Sequence, residues 1–272
     1  MSRKFFRYKA FERIFKSTED NQDTISRVED KIKYHNPQSY NRKSPITLNW
    51  VSTDSEEEYN KNFEKRKNEL EKYGWLGTTI NYDLNSYGFR DEEFYESPNS
   101  IVATGECFTF GTGLHETQIW PSMLEWETKT KVWNLGLPTA PMDVTFRALY
   151  SWLPIIKPKM VLLLENSQLG REVFTNENAE PIGFWSPESW KQDLAADKVE
   201  RYISRQKNLM AISELCHQHN IELRTISAVE RHHIGMNAWK NNENEKFAAS
   251  RDLMHPGLHF QQDLTTRWLR EI

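Results

Sequence analysis

The sequence is poor in cysteine and in long apolar runs. It has two cysteines in 272 residues, Cys107 and Cys216, and they lie far apart. A disulfide framework is therefore not expected, and a reducing compartment fits the chain best. No apolar run approaches the roughly 20 residues of a membrane-spanning helix. Arg and Lys recur after Met1, where a secretory signal would be apolar, so we expect a cytoplasmic protein without a signal peptide.

A strong excess of charge of one sign is also lacking. The formal net charge is -4, which provides no general attraction to nucleic acid or to an anionic membrane. Clusters of metal ligands are scarce too. His217 with His219, and His232 with His233, have no cysteine or carboxylate cluster at the spacing of a metal site, so we expect neither metal nor cofactor.

Strand-like and helix-like segments alternate in the C-terminal two-thirds of the chain. We predict strands at 100–104, 132–135, 160–164 and 221–226, and helices at about 117–128, 142–153, 190–218 and 258–271. This alternation predicts a mostly parallel sheet with helices on both faces. The strand at 160–164 is the most apolar run and is predicted to be central. A long loop is predicted from 165 to 187, where Arg171 and Glu172 either bind a polar substrate or pair with each other.

The N-terminal third is predicted to be a helical and irregular extension. Residues 1–16 mix aromatic with basic side chains, which is typical of an arm that packs on its own domain or on a sister subunit, or of a helix that binds a membrane or an acidic protein partner. Residues 17–50 are polar and predicted to be a linker. A helix is predicted at 54–73, with Thr53 and Asp54 as candidate N-caps. We therefore divide the chain into 1–81, the arm, linker and helix, and 82–272, a second domain.

The segment Gly105-Glu106-Cys107 directly follows the first predicted strand of the second domain. Ligands bind at such strand ends in open α/β sheets, so Cys107 is either a nucleophile or a buried small apolar residue. Asp252 and His255 are three residues apart, and on a turn both can face one way. His255 then reaches the nucleophile while Asp252 holds the other ring nitrogen. The alternative is that His255 is a surface residue of the final loop.

Acyl transfer also needs donors for the oxyanion, and besides the N–H of Cys107 two residues are candidates. Gly136 follows the second strand and offers a backbone N–H. Asn166 follows the third strand and offers a side-chain amide.

These residues resemble the SGNH hydrolase superfamily, also called GDSL-type esterases and lipases, over roughly residues 82–272. Gly105-Glu106-Cys107 with Thr109-Phe110-Gly111 is similar to the first block, usually Gly-Asp-Ser with Thr-Phe-Gly. Asn134-Leu135-Gly136 is similar to the second block, and Asp252-Leu253-Met254-His255-Pro256 to the last. The resemblance implies a three-layer α/β/α sandwich with a flavodoxin-like, mostly parallel sheet. It also implies a small acyl group on a carbohydrate or lipid as the substrate class.

The chain departs from the family pattern at two places. Cys107 stands where the family has serine, after Glu106 in place of aspartate, and Leu164-Glu165-Asn166-Ser167 stands where the family has Gly-x-Asn-Asp. A thiol can perform the same step through a thioester, but the replacement is equally compatible with lost activity, a different acyl chemistry or an engineered variant. We expect the helix start and His255 to lower the pKa of Cys107 in an open site, and burial beside Phe108 to raise it in a closed one.

The leading prediction is a hydrolase of ester or thioester bonds that acts on a small acylated substrate by a Cys107–His255–Asp252 relay. The alternative is a catalytically inactive binding or structural protein of the same fold. Members of this kind also occur in tailed phages, so this alternative includes a virion or assembly component whose residues 1–16 bind a protein partner or a second copy of the chain.

Overall fold

The computed structural model describes residues 45–165, 170–174, 179–183, 186, 188–227 and 249–272. The predicted arm at 1–16, nearly all of the predicted linker at 17–50 and the candidate donor Asn166 lie outside the described residues.

The elements in the described residues follow the predicted alternation of strands and helices. The strands are β1 (Ile46–Leu48), β2 (Tyr82–Leu84), β3 (Ile101–Thr104), β4 (Val132–Asn134), β5 (Met160–Glu165), β6 (Gly170–Phe174), β7 (Ala179–Gly183) and β8 (Glu222–Ser227). The helices are α1 (Glu56–Lys65), α2 (Lys67–Lys72), α3 (Cys107–Phe110), α4 (Trp120–Thr128), α5 (Met142–Ile156), α6 (Ser189–Ala196), α7 (Lys198–Gln218) and α8 (Leu258–Glu271). A short 3₁₀ helix, Glu116–Gln118, precedes α4.

The central sheet is parallel and has the strand order β4-β3-β5-β8. Its register aligns Ile101 of β3 with Val132 on one side and with Met160 on the other, and Met160 with Glu222 of β8. The apolar run at β5 is one of the two inner strands, as predicted. Because all four strands are parallel, their carboxyl ends share one edge of the sheet, where α/β proteins bind ligands.

Each face of this sheet is covered by a pair of helices. One face packs Val102, Val161 and Leu163 against α5 and α7. The other face packs Ile101, Leu162 and other strand residues against α4 and α8. Alternate strand residues point to opposite faces, and both faces are apolar, because helices cover both. The predicted three-layer α/β/α architecture is confirmed.

The segment from β1 to β2 forms a third apolar cluster beside the sheet. β1 and β2 pair antiparallel, with Ile46 opposite Leu84. The cluster contains Val51, Leu70 and Trp75 from this segment, and Leu253 and other residues from the loops at the sheet's edge. The domain boundary between residues 81 and 82 stays a prediction. The pairing of β1 with β2 and the packing within this cluster both cross that boundary.

Four local predictions need correction. The N-cap of α1 is Ser55, whose side chain accepts a hydrogen bond from the backbone N–H of Glu58, while Thr53 and Asp54 bind Asp252 and Arg251. The predicted loop at 165–187 contains the antiparallel hairpin of β6 and β7. The helix predicted at 190–218 is interrupted at Asp197, whose carboxylate caps α7. The helix predicted at 142–153 runs to Ile156, with Pro154 inside its last turn.

None of the helices in the described ranges combines the length and the apolar character that a membrane span requires.

Candidate active site

Cys107 begins the short helix α3, directly after the carboxyl end of β3. The turn between them depends on Gly105, which has a φ of 153°. A Cβ there would lie 2.7 Å from the carbonyl oxygen of Leu164 and 2.5 Å from Oγ1 of Thr109. The side chain of any other residue would therefore collide with β5 and with α3. The glycine lets the chain turn sharply, which places the thiol at the ligand-binding edge of the sheet.

Arg90 holds the far end of α3 in place. Its guanidinium is buried and donates hydrogen bonds to the carbonyls of Phe110, Gly111 and Leu114. These carbonyls lie at or just after the end of the helix, where backbone acceptors lack helical partners. The guanidinium also lies over the ring of Tyr82, 4.6 Å from its centroid. Arg90 thus fixes the loop that follows Cys107.

Asp252 and His255 form a hydrogen-bonded pair on one turn of the chain. His255 Nδ1 lies 2.6 Å from Asp252 Oδ2. The carboxylate is buried, while the imidazole is 14% exposed. The structure brings these two side chains together, as a spacing of three residues on a turn allows. With Nδ1 bound to the carboxylate, Nε2 is the ring nitrogen left for a second partner.

The carboxylate of Asp252 is surrounded by donors. Its Oδ1 accepts from the hydroxyl of Ser250 at 2.6 Å and from the backbone N–H groups of Met254 and His255 at 3.0 and 3.1 Å. Its Oδ2 accepts from Thr53 Oγ1 at 2.7 Å in addition to His255. A carboxylate with this many hydrogen bonds is held in one orientation and kept ionised.

The pKa values of the pair follow from this arrangement. Burial by itself raises the pKa of Asp252, but the charge of His255 and the hydrogen bonds from His255, Ser250 and Met254 outweigh it and hold the pKa well below the usual range. Burial lowers the pKa of His255, yet the negative charges of Cys107 and Asp252 and the hydrogen bonds with both raise it well above its ordinary value. Asp252 therefore stays ionised, and its charge strengthens His255 as a base for the proton of Cys107.

The thiol of Cys107 lies beside the imidazole of His255. Burial raises the pKa of Cys107, and the charge of His255 opposes this without overcoming it. Glu106 adds to the rise through its negative charge. Of the two outcomes considered for the thiol, the one in which burial outweighs the charge of His255 holds. A proton must therefore be removed from the Cys107–His255 pair before the sulfur becomes a strong nucleophile.

Gly136 lies at the same edge of the sheet, just beyond β4. The parallel pairing of β4 with β3 continues past the strand ends, with Leu135 and Leu137 donating to the carbonyls of Ala103 and Gly105. The N–H of Gly136 donates to Asn134 Oδ1 at 2.9 Å, while Asn134 Nδ2 donates to the carbonyl of Thr109 in α3. That this N–H binds an oxyanion stays a prediction. It requires the N–H either to donate to Asn134 and the oxyanion at once or to leave Asn134 for the oxyanion.

The other sequence candidates have structural partners where they are described. Arg171 and Glu172 do not pair with each other. Glu172 forms a buried ion pair with Arg147, and Arg171 lies 3.7 Å from Glu200. Burial raises the pKa of Glu172 to about 7 against the opposing charge of Arg147. Cys216 lies in the core, where burial raises its pKa to about 12.

Sequence reasoning missed three side chains that hold the site, Thr53, Ser250 and Asn62. Thr53 is 199 residues from Asp252, so no local pattern relates them. Ser250 is two residues before Asp252. A hydroxyl so close to an aspartate in a turn is a signal that could have identified it. The amide of Asn62 donates to the backbone carbonyl of Asp252 at 3.1 Å.

No family model and no curated protein match the chain. Solved structures do. One is a protein from Desulfitobacterium hafniense assigned to the lipolytic G-D-S-L family, with 15% identity, a TM-score of 0.42, and coverage of 64% of this chain and 99% of that one. Another is TesA, with 12% identity, a TM-score of 0.42, and coverage of 63% and 97%. A third is the psychrotrophic esterase EstA from Pseudoalteromonas sp., inhibited by monoethylphosphonate, with 14% identity, a TM-score of 0.40, and coverage of 63% and 99%. The G-D-S-L family named for the first of these is the family that the motifs of this chain resemble.

Proposed function

We propose that the chain is a hydrolase of ester or thioester bonds in which Cys107 is the nucleophile, His255 the base and Asp252 the group that orients the base. The observation that carries the proposal is the contact between the three groups. Asp252 binds one nitrogen of His255, and the imidazole also forms a hydrogen bond with Cys107. A nucleophile, a base and an orienting acid in this order form a relay for acyl transfer.

In the first step the thiol proton moves to His255, and the sulfur attacks the acyl carbon. The carbonyl π electrons move to its oxygen, and backbone N–H groups stabilise the resulting oxyanion. The N–H of Cys107 and that of Gly136 are the candidates, with the side chain of Asn166 as a third. When the carbonyl re-forms, the bond to the leaving group breaks, and the imidazolium of His255 protonates that group. The product is a thioester on Cys107.

In the second step His255 removes a proton from water, and the hydroxide attacks the thioester carbon. The bond to sulfur breaks, the carboxylic acid leaves, and the sulfur takes the proton back from His255. Throughout, Asp252 stays ionised, because its pKa is held below the usual range. Its charge stabilises the imidazolium that forms in both steps.

The inactive binding protein remains the second candidate, and one observation favours it. Burial raises the pKa of Cys107, so less of the thiol ionises near neutral pH than in an ordinary cysteine. In that case the protein keeps the fold but does not turn over a substrate. The cause would be the sulfur atom of Cys107, which stands where serine has an oxygen.

Hydrolysis of p-nitrophenyl acyl esters and of acetylated sugars tests the proposal. Wild type should release product, and Cys107→Ala should not. Activity that is equal in both proteins would exclude Cys107 as the nucleophile. Activity that appears only in Cys107→Ser would favour the second candidate.

A further inference from the structure

We propose that Thr53 is a positioning residue for the Asp252–His255 pair, so that the segment before β2 completes the candidate site. This inference rests on the proposed function. Thr53 Oγ1 donates to Asp252 Oδ2 at 2.7 Å, and the same oxygen receives His255 Nδ1 at 2.6 Å. Thr53 therefore touches the atom through which the carboxylate acts on the imidazole.

Thr53 is held rigidly enough to perform this role. It lies in a tight turn closed on both sides by backbone hydrogen bonds, from Val51 to the carbonyl of Asp54 at 2.9 Å and from Asp54 to the carbonyl of Val51 at 3.1 Å. Ser52 in this turn has a φ of 55°, and Val51 is buried in the apolar cluster beside the sheet. The hydroxyl is thus presented by a fixed backbone, which suits a group that positions another.

The residues next to Thr53 and Asp252 are also paired. Asp54 accepts from Nε of Arg251 at 2.9 Å and from Nη2 of the same residue at 2.6 Å. Two consecutive residues of one turn, Thr53 and Asp54, therefore bind two consecutive residues of the other, Asp252 and Arg251. Asn62 of α1 adds a hydrogen bond to the backbone carbonyl of Asp252. These contacts fix both the backbone and the side chain of the candidate orienting acid.

The turn that carries Asp252 needs such support. Leu253 has a φ of 55°, a conformation that costs a non-glycine residue energy, and such residues persist when the surrounding structure holds them. Its side chain is buried in the same cluster as Val51. The segment at 45–84 therefore holds this turn both by hydrogen bonds and by packing.

The chemical consequence concerns the charge on Asp252. The Thr53 hydroxyl withdraws electron density from Oδ2 and limits how strongly the carboxylate holds a proton on His255. Without this donor the carboxylate binds the imidazolium more tightly, so the pKa of His255 rises further. A proton that His255 holds more tightly is passed less readily to the leaving group, so turnover slows.

The test is an NMR titration of His255 in wild type, Thr53→Val, Thr53→Ser and Thr78→Ala. Thr78→Ala is the matched control, because Thr78 lies in the same segment and its hydroxyl donates to the carbonyl of Gly74, away from Asp252. We expect the pKa of His255 to rise in Thr53→Val and to match wild type in Thr53→Ser and Thr78→Ala. Ester hydrolysis should show kcat lowered roughly ten- to hundredfold with KM unchanged in Thr53→Val alone.

An unshifted His255 titration in folded Thr53→Val would overturn the inference, as would an equal shift in Thr78→Ala. The titration needs no turnover, so it decides the role of Thr53 even if no ester is hydrolysed. If wild type shows neither hydrolysis nor His255-dependent labelling of Cys107, the proposed function fails separately. The titration would then still show whether Thr53 affects the pKa of His255 in its pair with Asp252.

Discussion

Asp54 and Arg251 form an ion pair in which both side chains are 1% exposed. The pair joins the segment before β2 to the turn that carries Asp252 and His255. Two further contacts complete it. The hydroxyl of Tyr82 donates to Asp54 Oδ2 at 2.5 Å, and the guanidinium lies 4.0 Å from the centroid of Trp50.

Replacing Asp54 should therefore destabilise the protein strongly. Asp54→Asn leaves the guanidinium of Arg251 buried without its counter-charge, and losses of this kind are about 3–5 kcal/mol. Urea denaturation measures the change in the free energy of unfolding. The matched control is Asp83→Asn, whose carboxylate is exposed and accepts a hydrogen bond from Thr47. A free energy of unfolding that is the same in both variants would show that the pair does not hold the two segments together.

Removing the charge of Glu106 should make Cys107 more reactive. The negative charge of Glu106 raises the pKa of the neighbouring thiol, so Glu106→Gln lowers that pKa and increases the thiolate fraction near neutral pH. The rate of alkylation by iodoacetamide between pH 6 and pH 10 measures this, and the whole profile should move to lower pH. His255→Ala should move it the opposite way, because the imidazolium lowers the pKa of Cys107.

The control for this profile is Glu116→Gln, which removes an exposed carboxylate from the short 3₁₀ helix. Cys216→Ser in every variant removes the second thiol, although its pKa of about 12 keeps it largely protonated over this range. A profile for Glu106→Gln that overlaps the control, or that moves to higher pH, would contradict the assigned electrostatics.

Adding a methyl group at Gly136 should displace α3. The Cβ of an alanine there would lie 2.5 Å from the backbone nitrogen of Phe110 and 2.8 Å from the carbonyl carbon of Thr109. Backbone atoms cannot move aside by changing rotamer, so α3 or β4 must shift. We expect lower thermal stability in Gly136→Ala, together with alkylation of Cys107 that depends less on His255.

Gly77→Ala separates this effect from a general loss of stability. Its Cβ would meet nothing within 4 Å, but its φ of 70° makes the substitution strained. It should lower the melting temperature and leave the labelling of Cys107 as in wild type. If Gly136→Ala behaves in the same way, the close approach of β4 to α3 does not determine the geometry of the thiol.

The sequence predicts the central sheet well, but it predicts poorly the β6–β7 hairpin and the break before α7. Short apolar runs identify β3 and β5, because both faces of the sheet are buried at these inner strands. The edge strand β8 is more exposed, and its apolar residues Leu223 and Ile226 are separated by polar ones. The hairpin of β6 and β7 lacks such a run, and Pro181 lies within its second strand, which argues against a strand in a sequence read alone. The break before α7 was missed because the residues before and after Asp197 are both typical of a helix, as α6 and α7 show.

The candidate site was predictable where its residues are close in the chain. Asp252 and His255 are three residues apart, and that spacing is enough to place both on one side of a turn. Thr53 was interpreted as a helix cap, since threonine before a run of glutamates is typical of one. Its true acceptor is far away in the sequence, and only the folding of the N-terminal segment onto the turn brings the two together. The burial that raises the pKa of Cys107 is likewise a property of packing.

Trapping of an acyl group on Cys107 tests the central claim most directly. Cys216→Ser protein is mixed with p-nitrophenyl acetate, quenched in acid within the first turnover, digested and analysed by mass spectrometry. We expect one acetyl group on the peptide that contains Cys107, absent in Cys107→Ala and formed more slowly in His255→Ala. Release of p-nitrophenol without acetyl on that peptide, or acetylation at the same rate in His255→Ala, would contradict the Cys107–His255–Asp252 relay.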